Sequence, residues 1–463
     1  MNRNLGWIVW LLAGSLCAEE VALRKNDVEL RLGRVRQLAR EKNDPRLVRE
    51  VEATTRGWAQ TLPSDVEARL RQLETAVGID PGGATMAGQP LFRPEPGMDS
   101  ALHELTPKLA AAMAAEDVEA VRAITRRTAE ILGQQAGVPD GRRPGLRAEL
   151  PLPSRAEAVR VFLEALATEG RALRTLLQGE LLPGQMLRFY GYLLEACVTM
   201  HPHVAAHAPE RLAELERLLR ATAGLLVRLQ QPEGHFPFPD LRGRNLRFGE
   251  MTEKQLAAGV IEIRDGWIVT PDPDGGSQFD TGVCGVALLR AAELLGDEAW
   301  RQAALRAARW AAAQPCCTNF NYNAFSVSLL ARAGFREQAL AKFRIGLAPG
   351  QAANGRWLDP HNARTVYHVI LLRGLADLGR SEEVDAVALP AIRALLDEFD
   401  AMGITVEALP ELRQLAERFP EDTRLHKAVR DMASVIFAKC SDGERVKMGA
   451  QPHQLAAVVG ICD

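Results

Sequence analysis

The chain has 463 residues, of which 47% are hydrophobic and 25% are charged, the composition of an ordinary soluble protein with one large domain and a smaller one. Its formal net charge of -3 lacks the basic excess with which nucleic-acid-binding proteins neutralise phosphates. Nucleic acid is therefore excluded as the expected partner, whereas a local basic cluster still permits an acidic glycan.

Residues 1–18 have the profile of a secretory signal peptide. Arg3 precedes the apolar run 5–16, and Cys17-Ala18 follows it. This run is shorter than the roughly 20 residues needed to span a bilayer, so we predict no membrane segment after cleavage. The expected location is the periplasm or the cell exterior, and the alternative is a buried N-terminal helix.

The cysteines and acidic residues show no metal motif. The cysteines beyond the signal are widely spaced and fit no zinc pattern, and adjacent Cys316 and Cys317 are not a Cys-x-x-Cys redox motif. Export would permit disulfides, so we expect buried or bridged structural cysteines. No cofactor is predicted.

Residues 19–150 predict an N-terminal helical segment with linkers. Ser64 and Glu67 form a capping box before apolar residues at heptad spacing. Gly and Pro mark breaks at 82–97 and 138–145, and one helix is expected between them, at about 106–132. These helices are expected to pack on the same chain, with a protein partner as the alternative.

Residues 151–463 predict a succession of helices. A second capping box, Ser154 to Glu157, opens the region. Asp265-Gly266 predicts the turn of the single hairpin, at 260–269, and one more helix is expected within 245–265. The helices are predicted to begin near residues 155, 183, 209, 280, 298, 323, 336, 360, 382, 409 and 423.

The loops before some of these helices resemble one another. The segments Gln231-Pro-Glu-Gly-His-Phe236 and Asn354-Gly-Arg-Trp357 lie beside amphipathic helices. The helix starts near 280, 323 and 361 are about 40 residues apart, the length of a helical-hairpin repeat. Such repeats bury their apolar faces by stacking or by closing into a ring.

These segments look like the Gly-x-aromatic turns of the alpha/alpha-toroid superfamily, which includes six-hairpin glycoside hydrolases, several polysaccharide lyase families and terpene cyclases. The resemblance covers about residues 155–440. It implies an all-α toroid of helical hairpins at 151–463 that acts on carbohydrate. The Asp-rich motif of terpene cyclases is absent, and no single lyase or hydrolase signature is complete.

In a toroid the starts of the inner helices would meet at one rim, where free amides favour anions. Asp359 is the expected N-cap of one such helix, and His361, Arg364 and His368 follow at i, i+3 and i+7 on one face. We predict that this face lines a cleft, with a surface helix end as the alternative.

A second rim segment combines amides with an aromatic hydroxyl. Tyr322 is grouped with His361, His368 and Arg364 as a predicted catalytic residue. One asparagine of this segment is expected to cap the helix. The remaining candidates share amide, carboxylate or aromatic groups suited to binding sugar, and they are Asn319, Asn321, Asn323, Asp280, Tyr367, Trp357 and His235.

Two reactions on a glycan fit these residue types. In β-elimination from an acidic polysaccharide, Asn321 or Arg364 would neutralise the uronate, a histidine would take the C5 proton, and Tyr322 or Tyr367 would protonate the leaving oxygen. Hydrolysis needs two carboxylates, for which the loop candidates are Asp280, Asp359, Glu233 and Asp240, and the first two of these are expected helix caps. The sequence thus favours an exported polysaccharide lyase, with a glycoside hydrolase or a non-catalytic glycan- or protein-binding toroid as alternatives.

Overall fold

The computed structural model describes residue 35 and residues 45–55, 65–76, 98–132, 151–168, 170–181, 184–242, 246–259, 261–268, 276–357, 365–402, 408–441 and 451–462. The predicted signal peptide, the capping box at Ser64 and both linkers lie outside these residues. Within them the protein is all-α apart from three two-residue strands.

The chain divides into two compact units. The first comprises 1–107 and 140–142, and the second comprises 108–139 and 143–463. In the first unit, α1 (Pro45–Thr54) contacts α2 (Val66–Ala76), and α3 (Met98–Ala114) crosses the division.

The second unit contains all the remaining helices. They are α4 (Val118–Leu132), α5 (Arg155–Thr168), α6 (Gly170–Leu177), α7 (Leu187–His207), α8 (Leu212–Leu229), α9 (Leu246–Ala257), α10 (Gly276–Leu295), α11 (Glu298–Ala313), α12 (Phe320–Arg332), α13 (Arg336–Gly346), α14 (Thr365–Leu378), α15 (Glu382–Met402), α16 (Leu409–Arg418), α17 (Thr423–Ser441) and α18 (Gln451–Val459).

Six helices of the second unit form a closed cycle of neighbours. In the order α7, α10, α12, α14, α16, α18, each contacts the next, and α18 contacts α7 again. The helices between them in the chain, α8, α11, α13, α15 and α17, each contact the cycle helix that precedes them, and α5 contacts α18 and α7. We call the first six the cycle helices and the second six the flanking helices.

The neighbouring cycle helices α7 and α10 run in the same direction. Arg188, near the start of α7, binds Asp280, near the start of α10. Near their ends, Arg290 Nη2 of α10 donates to Thr199 Oγ1 of α7 at 3.1 Å. This arrangement follows from the chain order, because the short connections between a cycle helix and its flanking helix reverse the direction of the chain.

Close helix contact depends on small residues at particular positions. A Cβ on Gly282 of α10 would lie 2.6 Å from the backbone oxygen of Phe325 in α12. Real Cβ atoms do not approach an oxygen so closely, because the electron clouds overlap. Gly282 therefore sets the short separation between these two cycle helices.

The predicted hairpin is confirmed, and the structure adds one strand. Strands β2 (Ile263–Arg264) and β3 (Trp267–Ile268) pair in antiparallel fashion around Asp265 and Gly266. The additional strand β1 (Phe238–Pro239) pairs with the other edge of β3, so the order is β1-β3-β2. The extra helix expected within 245–265 is α9.

Two helix predictions need correction. The single helix expected at 106–132 is two helices, because Glu116 has a left-handed backbone with φ of 55°. Asp117 then caps α4 by accepting from the Ala120 amide at 2.9 Å. The start expected near 280 is also wrong, since α10 begins at Gly276. Asp280 therefore lies within the helix and is not its cap.

Other local predictions agree with the structure. Ser154 and Glu157 exchange hydrogen bonds as a capping box at the start of α5. Six cysteines follow residue 18; four of them are buried, and none of the six is joined to another in a disulfide. Among the described residues, no helix combines the length and apolar character required to cross a bilayer.

Candidate functional site

One face of α7 carries polar side chains through an otherwise apolar helix. Arg188, Tyr192, Glu195 and Thr199 follow at intervals of four, three and four residues, the spacing of one helical face. A stable helix does not need polar residues on a face like this one, since the other residues of α7 are mostly apolar and many of them are buried. The stripe faces groups on several other cycle helices.

Glu195 is the hub of these contacts. Its Oε1 accepts from Arg373 Nη2 of α14 at 2.7 Å and lies 3.7 Å from Arg290 Nη1, while its Oε2 lies 3.5 Å from His453 Nε2 of α18. Because α7 and α14 are opposite members of the cycle, the Glu195–Arg373 bridge crosses the middle of it. Burial opposes ionisation, but Arg373 and the neighbouring positive charges lower the pKa of Glu195 to about 2.

A second carboxylate lies further along α14. Asp377 is buried, pairs with Arg332 Nη2 of α12 at 2.7 Å, and accepts hydrogen bonds from Ser328 and Gln414. All of its partners are on the neighbouring cycle helices α12 and α16. Asp377 is thus a charged group that joins three cycle helices.

Two further groups have unusual proton affinities. Burial raises the pKa of Glu411, in the first turn of α16, to about 7, although the charge of Arg373 opposes the shift. Burial lowers the pKa of His453 to about 4 against the opposing charge of Glu195. Near neutral pH, Glu411 therefore exchanges protons readily, and His453 is uncharged.

These groups define one site, which we call the interior cluster. Its members are charged or titratable side chains of the cycle helices, namely Glu195, Arg290, Arg332, Arg373, Asp377, Glu411 and His453. The side chains of Arg290 and Arg332 remain 26% and 32% exposed, so solvent reaches the cluster. Strongly shifted pKa values next to specific charge partners are typical of functional sites.

An arginine–aspartate pair lies nearer the starts of α7 and α10. Arg188 binds both carboxylate oxygens of Asp280, with Nε at 3.1 Å and Nη2 at 2.6 Å, and its backbone amide donates to the same carboxylate. The guanidinium lies 3.7 Å above the ring centroid of Phe279, whose other contacts include Phe325 at 4.0 Å. Arg188 is therefore held by charge and by stacking.

Two predicted site residues meet at this pair. The ring centroid of Tyr322 is 6.1 Å from that of Phe279, and the Tyr322 phenol interacts electrostatically with Arg188, the partner of Asp280. The predicted rim segments at 280 and 322 thus lie together. His361 and Arg364 lie outside the described residues, so their part of the predicted convergence stays a prediction.

Other predicted residues make contacts of a different kind. Asn323 accepts from the Cys317 amide and donates to the carbonyls of Cys317 and Gly346, at 2.8–3.0 Å. The fully buried ring of His368 bonds to the Ala391 carbonyl of the flanking helix α15 at 2.9 Å, and burial holds its pKa well below the usual range.

Trp357 belongs with this second group. It is fully buried, its indole donates to the Leu347 carbonyl at 2.9 Å, and its ring lies 5.3 Å from His368. These contacts hold the segment that precedes α14 against neighbouring parts of the same polypeptide. They give Trp357 and His368 packing roles, and neither side chain contacts the interior cluster.

The remaining predicted binding residues are dispersed. Asn319 is the N-cap residue of α12 but makes no capping bond with its side chain, and Asn321 is buried. His235 stacks on Trp310 of the flanking helix α11 at 5.2 Å. Tyr367 is half-buried in the first turn of α14.

The sequence-based predictions missed the interior cluster because they concentrated on loops. A visible signal was present: Glu195, Arg290 and Arg373 each interrupt an apolar helical run. A charged residue placed in this way must be paired when buried, since an isolated buried charge is very costly. Three such interruptions in three predicted helices point to a shared polar interior.

In the described ranges, no group of three or more His, Cys, Asp or Glu side chains is arranged to hold a metal ion. No protein-family model matches this chain, and no curated protein matches it either. The function therefore has to be argued from the interior cluster and from the fold that brings it together.

Proposed function

We propose that residues 151–463 form an alpha/alpha toroid of six helical hairpins and that its interior binds and cleaves an acidic glycan. The closed cycle of six helices, flanked by six others, supports the toroid. The parallel direction of α7 and α10 supports it further, because the inner helices of such a ring share one direction.

A single observation carries the functional proposal: titratable side chains from all six cycle helices converge, and three of them, Glu195, Glu411 and His453, have shifted pKa values. Three guanidinium groups, of Arg290, Arg332 and Arg373, face the carboxylates of Glu195 and Asp377. While Glu411 is protonated, the basic side chains of the cluster outnumber the acidic ones by one, and this excess favours an anionic ligand.

The proposed reaction is β-elimination at a uronic acid residue. Positive charge near the substrate carboxylate stabilises the enolate-like transition state. Glu411 takes the C5 proton, the C5–H electrons form the C4–C5 double bond, and the C4–O bond breaks. Tyr322 donates the proton that the leaving oxygen requires. A base with pKa about 7 is suited to this step at neutral pH.

Glycoside hydrolysis is the second candidate, and one observation favours it. The pKa values of Glu411 and Glu195 are pushed apart, to about 7 and about 2. A protonated and an ionised carboxyl are the pair that hydrolysis uses. Glu195 is engaged by Arg373 and Arg290, which leaves it less available to activate water, so elimination is preferred.

The proposed enzyme would act outside the cytoplasm, as a secreted or periplasmic protein, a proposal that rests on the signal-peptide profile of residues 1–18. A non-catalytic glycan-binding toroid remains an outcome of the test. Purified protein is incubated with pectic, alginate and glycosaminoglycan polymers. Elimination gives the ultraviolet absorbance of an unsaturated uronate, hydrolysis gives reducing ends without that absorbance, and binding without either product leaves a binding protein.

The decisive variant is Glu411→Gln. We expect it to lose about 100-fold or more of the activity, because the proton-transfer group is gone. Glu417→Gln is the matched control, since Glu417 lies on the same helix and is 61% exposed. Full activity in Glu411→Gln, or no product from any of the polymers, would overturn the proposal.

A further inference from the structure

The guanidinium group of Arg188 is bound to a carboxylate along one edge, while another edge is accessible to solvent. Arg188 uses Nε and Nη2 to hold Asp280. Its Nη1 makes no hydrogen bond to a described residue, and Nη1 is not buried. Arg188 thus retains two N–H donors for a ligand.

The exposure of the two partners is unequal. The Asp280 carboxylate is fully buried, whereas 20% of the Arg188 side chain is exposed. A molecule that approaches from the solvent therefore meets the guanidinium and not the carboxylate. Because Asp280 and Phe279 already fix the side chain, little rotamer entropy is lost when a ligand binds.

A second donor lies on the same face of α7, one turn further along. Tyr192 is half-buried, and its hydroxyl makes no hydrogen bond to a described residue and is not buried. Tyr192 interacts electrostatically with Arg188, so the Tyr192 hydroxyl and Arg188 Nη1 lie in the same region of the protein. Its ring packs on His453 at 5.2 Å, which connects this region to the interior cluster.

We propose that Arg188 and Tyr192 form a subsite that binds the carboxylate of a uronic acid residue. The inference rests on the proposed function for its substrate class. A guanidinium edge and a hydroxyl donor match the acceptor oxygens of a carboxylate. The basic excess of the interior cluster, present while Glu411 is protonated, favours the negative charge, which a neutral sugar lacks.

The test measures binding of glucuronate to the full chain by calorimetry, with glucose and glucose 6-sulfate as comparisons. Wild-type protein is expected to bind glucuronate, to bind glucose at least about tenfold more weakly, and to prefer the carboxylate to the sulfate ester. Arg188→Lys retains the charge but loses the guanidinium edge, and we expect about a tenfold loss of glucuronate affinity. Tyr192→Phe is expected to lose affinity by a smaller factor.

The matched control is Arg344→Lys. Arg344 also binds a carboxylate through Nε and Nη2, that of Glu383, but it is exposed on the flanking helix α13. Unchanged affinity in Arg344→Lys, with unchanged thermal melting of both lysine variants, would assign the loss to the subsite. Equal glucuronate affinity in wild type and Arg188→Lys, or no affinity in wild type, would overturn the inference.

These outcomes separate the subsite from the proposed reaction. Glucuronate binding that depends on Arg188, without cleavage of any polymer, would retain the subsite and reject the enzyme. Cleavage that occurs with undiminished affinity in Arg188→Lys would retain the enzyme and reject the subsite. Binding of glucose as tight as that of glucuronate would also reject it, because charge recognition would then be absent.

Discussion

Two groups of buried polar residues in the second unit differ in what they bind. The interior cluster pairs charged side chains with one another across the cycle helices. The packing set, which we define as Gln278, Asn323, Ser326, Trp357 and His368, bonds to backbone carbonyls and to neutral side chains.

This difference in bonding partners suggests different roles: a chemical role for the interior cluster and a packing role for the packing set. Neutral polar side chains that bond to the backbone satisfy the hydrogen-bonding capacity of buried carbonyl groups, and they hold loops against helices. Buried charges contribute little net stability, because desolvation offsets their attraction. Changes in the packing set are therefore expected to affect stability without affecting function, whereas changes in the interior cluster are expected to affect function.

The largest expected effect tests the packing set. Trp357→Ala removes a fully buried ring and its bond to the Leu347 carbonyl. We expect a loss of about 3–5 kcal/mol in the free energy of unfolding, because the site cannot fill the cavity. Urea unfolding measures it. Trp357→Phe should lose less, and a loss below about 1 kcal/mol in Trp357→Ala would contradict the packing role.

The second prediction concerns Glu411 and depends on pH. Its pKa rises from the usual 4.5 to about 7 in the folded protein. Between these values the folded state binds more protons than the unfolded state, so this residue lowers stability as pH rises. Above pH 7 the shift of about 2.5 units corresponds to roughly 3 kcal/mol.

Glu411→Gln should therefore stabilise the protein by up to about 3 kcal/mol near pH 8 and change little near pH 4.5. Urea unfolding at both pH values measures the difference, with Glu417→Gln as the control. A stabilised variant that has lost activity would show a residue kept for function at the expense of stability. Equal effects at both pH values would contradict the raised pKa.

The third prediction addresses His368 in the packing set. Its folded pKa lies well below 6.5, so the unfolded chain takes up a proton first as the pH falls. Stability is then lost below pH 6.5 at about 1.4 kcal/mol per pH unit for this one group. His368→Gln should remove that slope between about pH 6.5 and 5, measured by urea unfolding.

The control for this variant is His207→Gln, because His207 is exposed at the end of α7. It should leave the slope as in the wild type. An unchanged slope in His368→Gln would show that this histidine is protonated in the folded state. His453 should contribute a similar slope down to about pH 4, where its folded pKa lies.

Local sequence signals predicted the elements well because they act over a few residues. The Ser154 capping box and the Asp265-Gly266 turn are complete within four residues, and both appear as expected. The break at Glu116 was missed, since neither Gly nor Pro lies within residues 114–118 to mark it. The helix α18 was also missed, because its pattern is short.

The site was predicted only in part because side-chain partners are set by long-range contacts. Asp280 and Tyr322 were expected at one rim, and they meet around Arg188, a residue that no local motif distinguishes. His368 and Trp357 have the residue types of a sugar site, but His368 bonds to the Ala391 carbonyl of α15 and Trp357 bonds to the Leu347 carbonyl, which are packing contacts. Residue type alone does not tell which neighbour a helix face meets.

The smallest expected effects compare two serines of α12. Ser326 Oγ donates to the neutral Gln278 Oε1 at 2.8 Å, and Ser328 Oγ donates to the Asp377 carboxylate, which is paired with Arg332. Hydrogen bonds to charged groups are the stronger ones, so Ser328→Ala should lose about 2 kcal/mol and Ser326→Ala about 1 kcal/mol in urea unfolding.

The activity of the two serine variants sharpens the comparison further. Ser328→Ala leaves Asp377 with Arg332 and Gln414 as partners and removes one of the hydrogen bonds that hold this carboxylate in the interior cluster. We expect a measurable fall in polymer cleavage for this variant and none for Ser326→Ala, whose partner Gln278 bonds to the Pro315 carbonyl. If Ser326→Ala impairs cleavage as much as Ser328→Ala does, the division between the interior cluster and the packing set is wrong, because a change in the packing contacts of α12 would then affect cleavage as well.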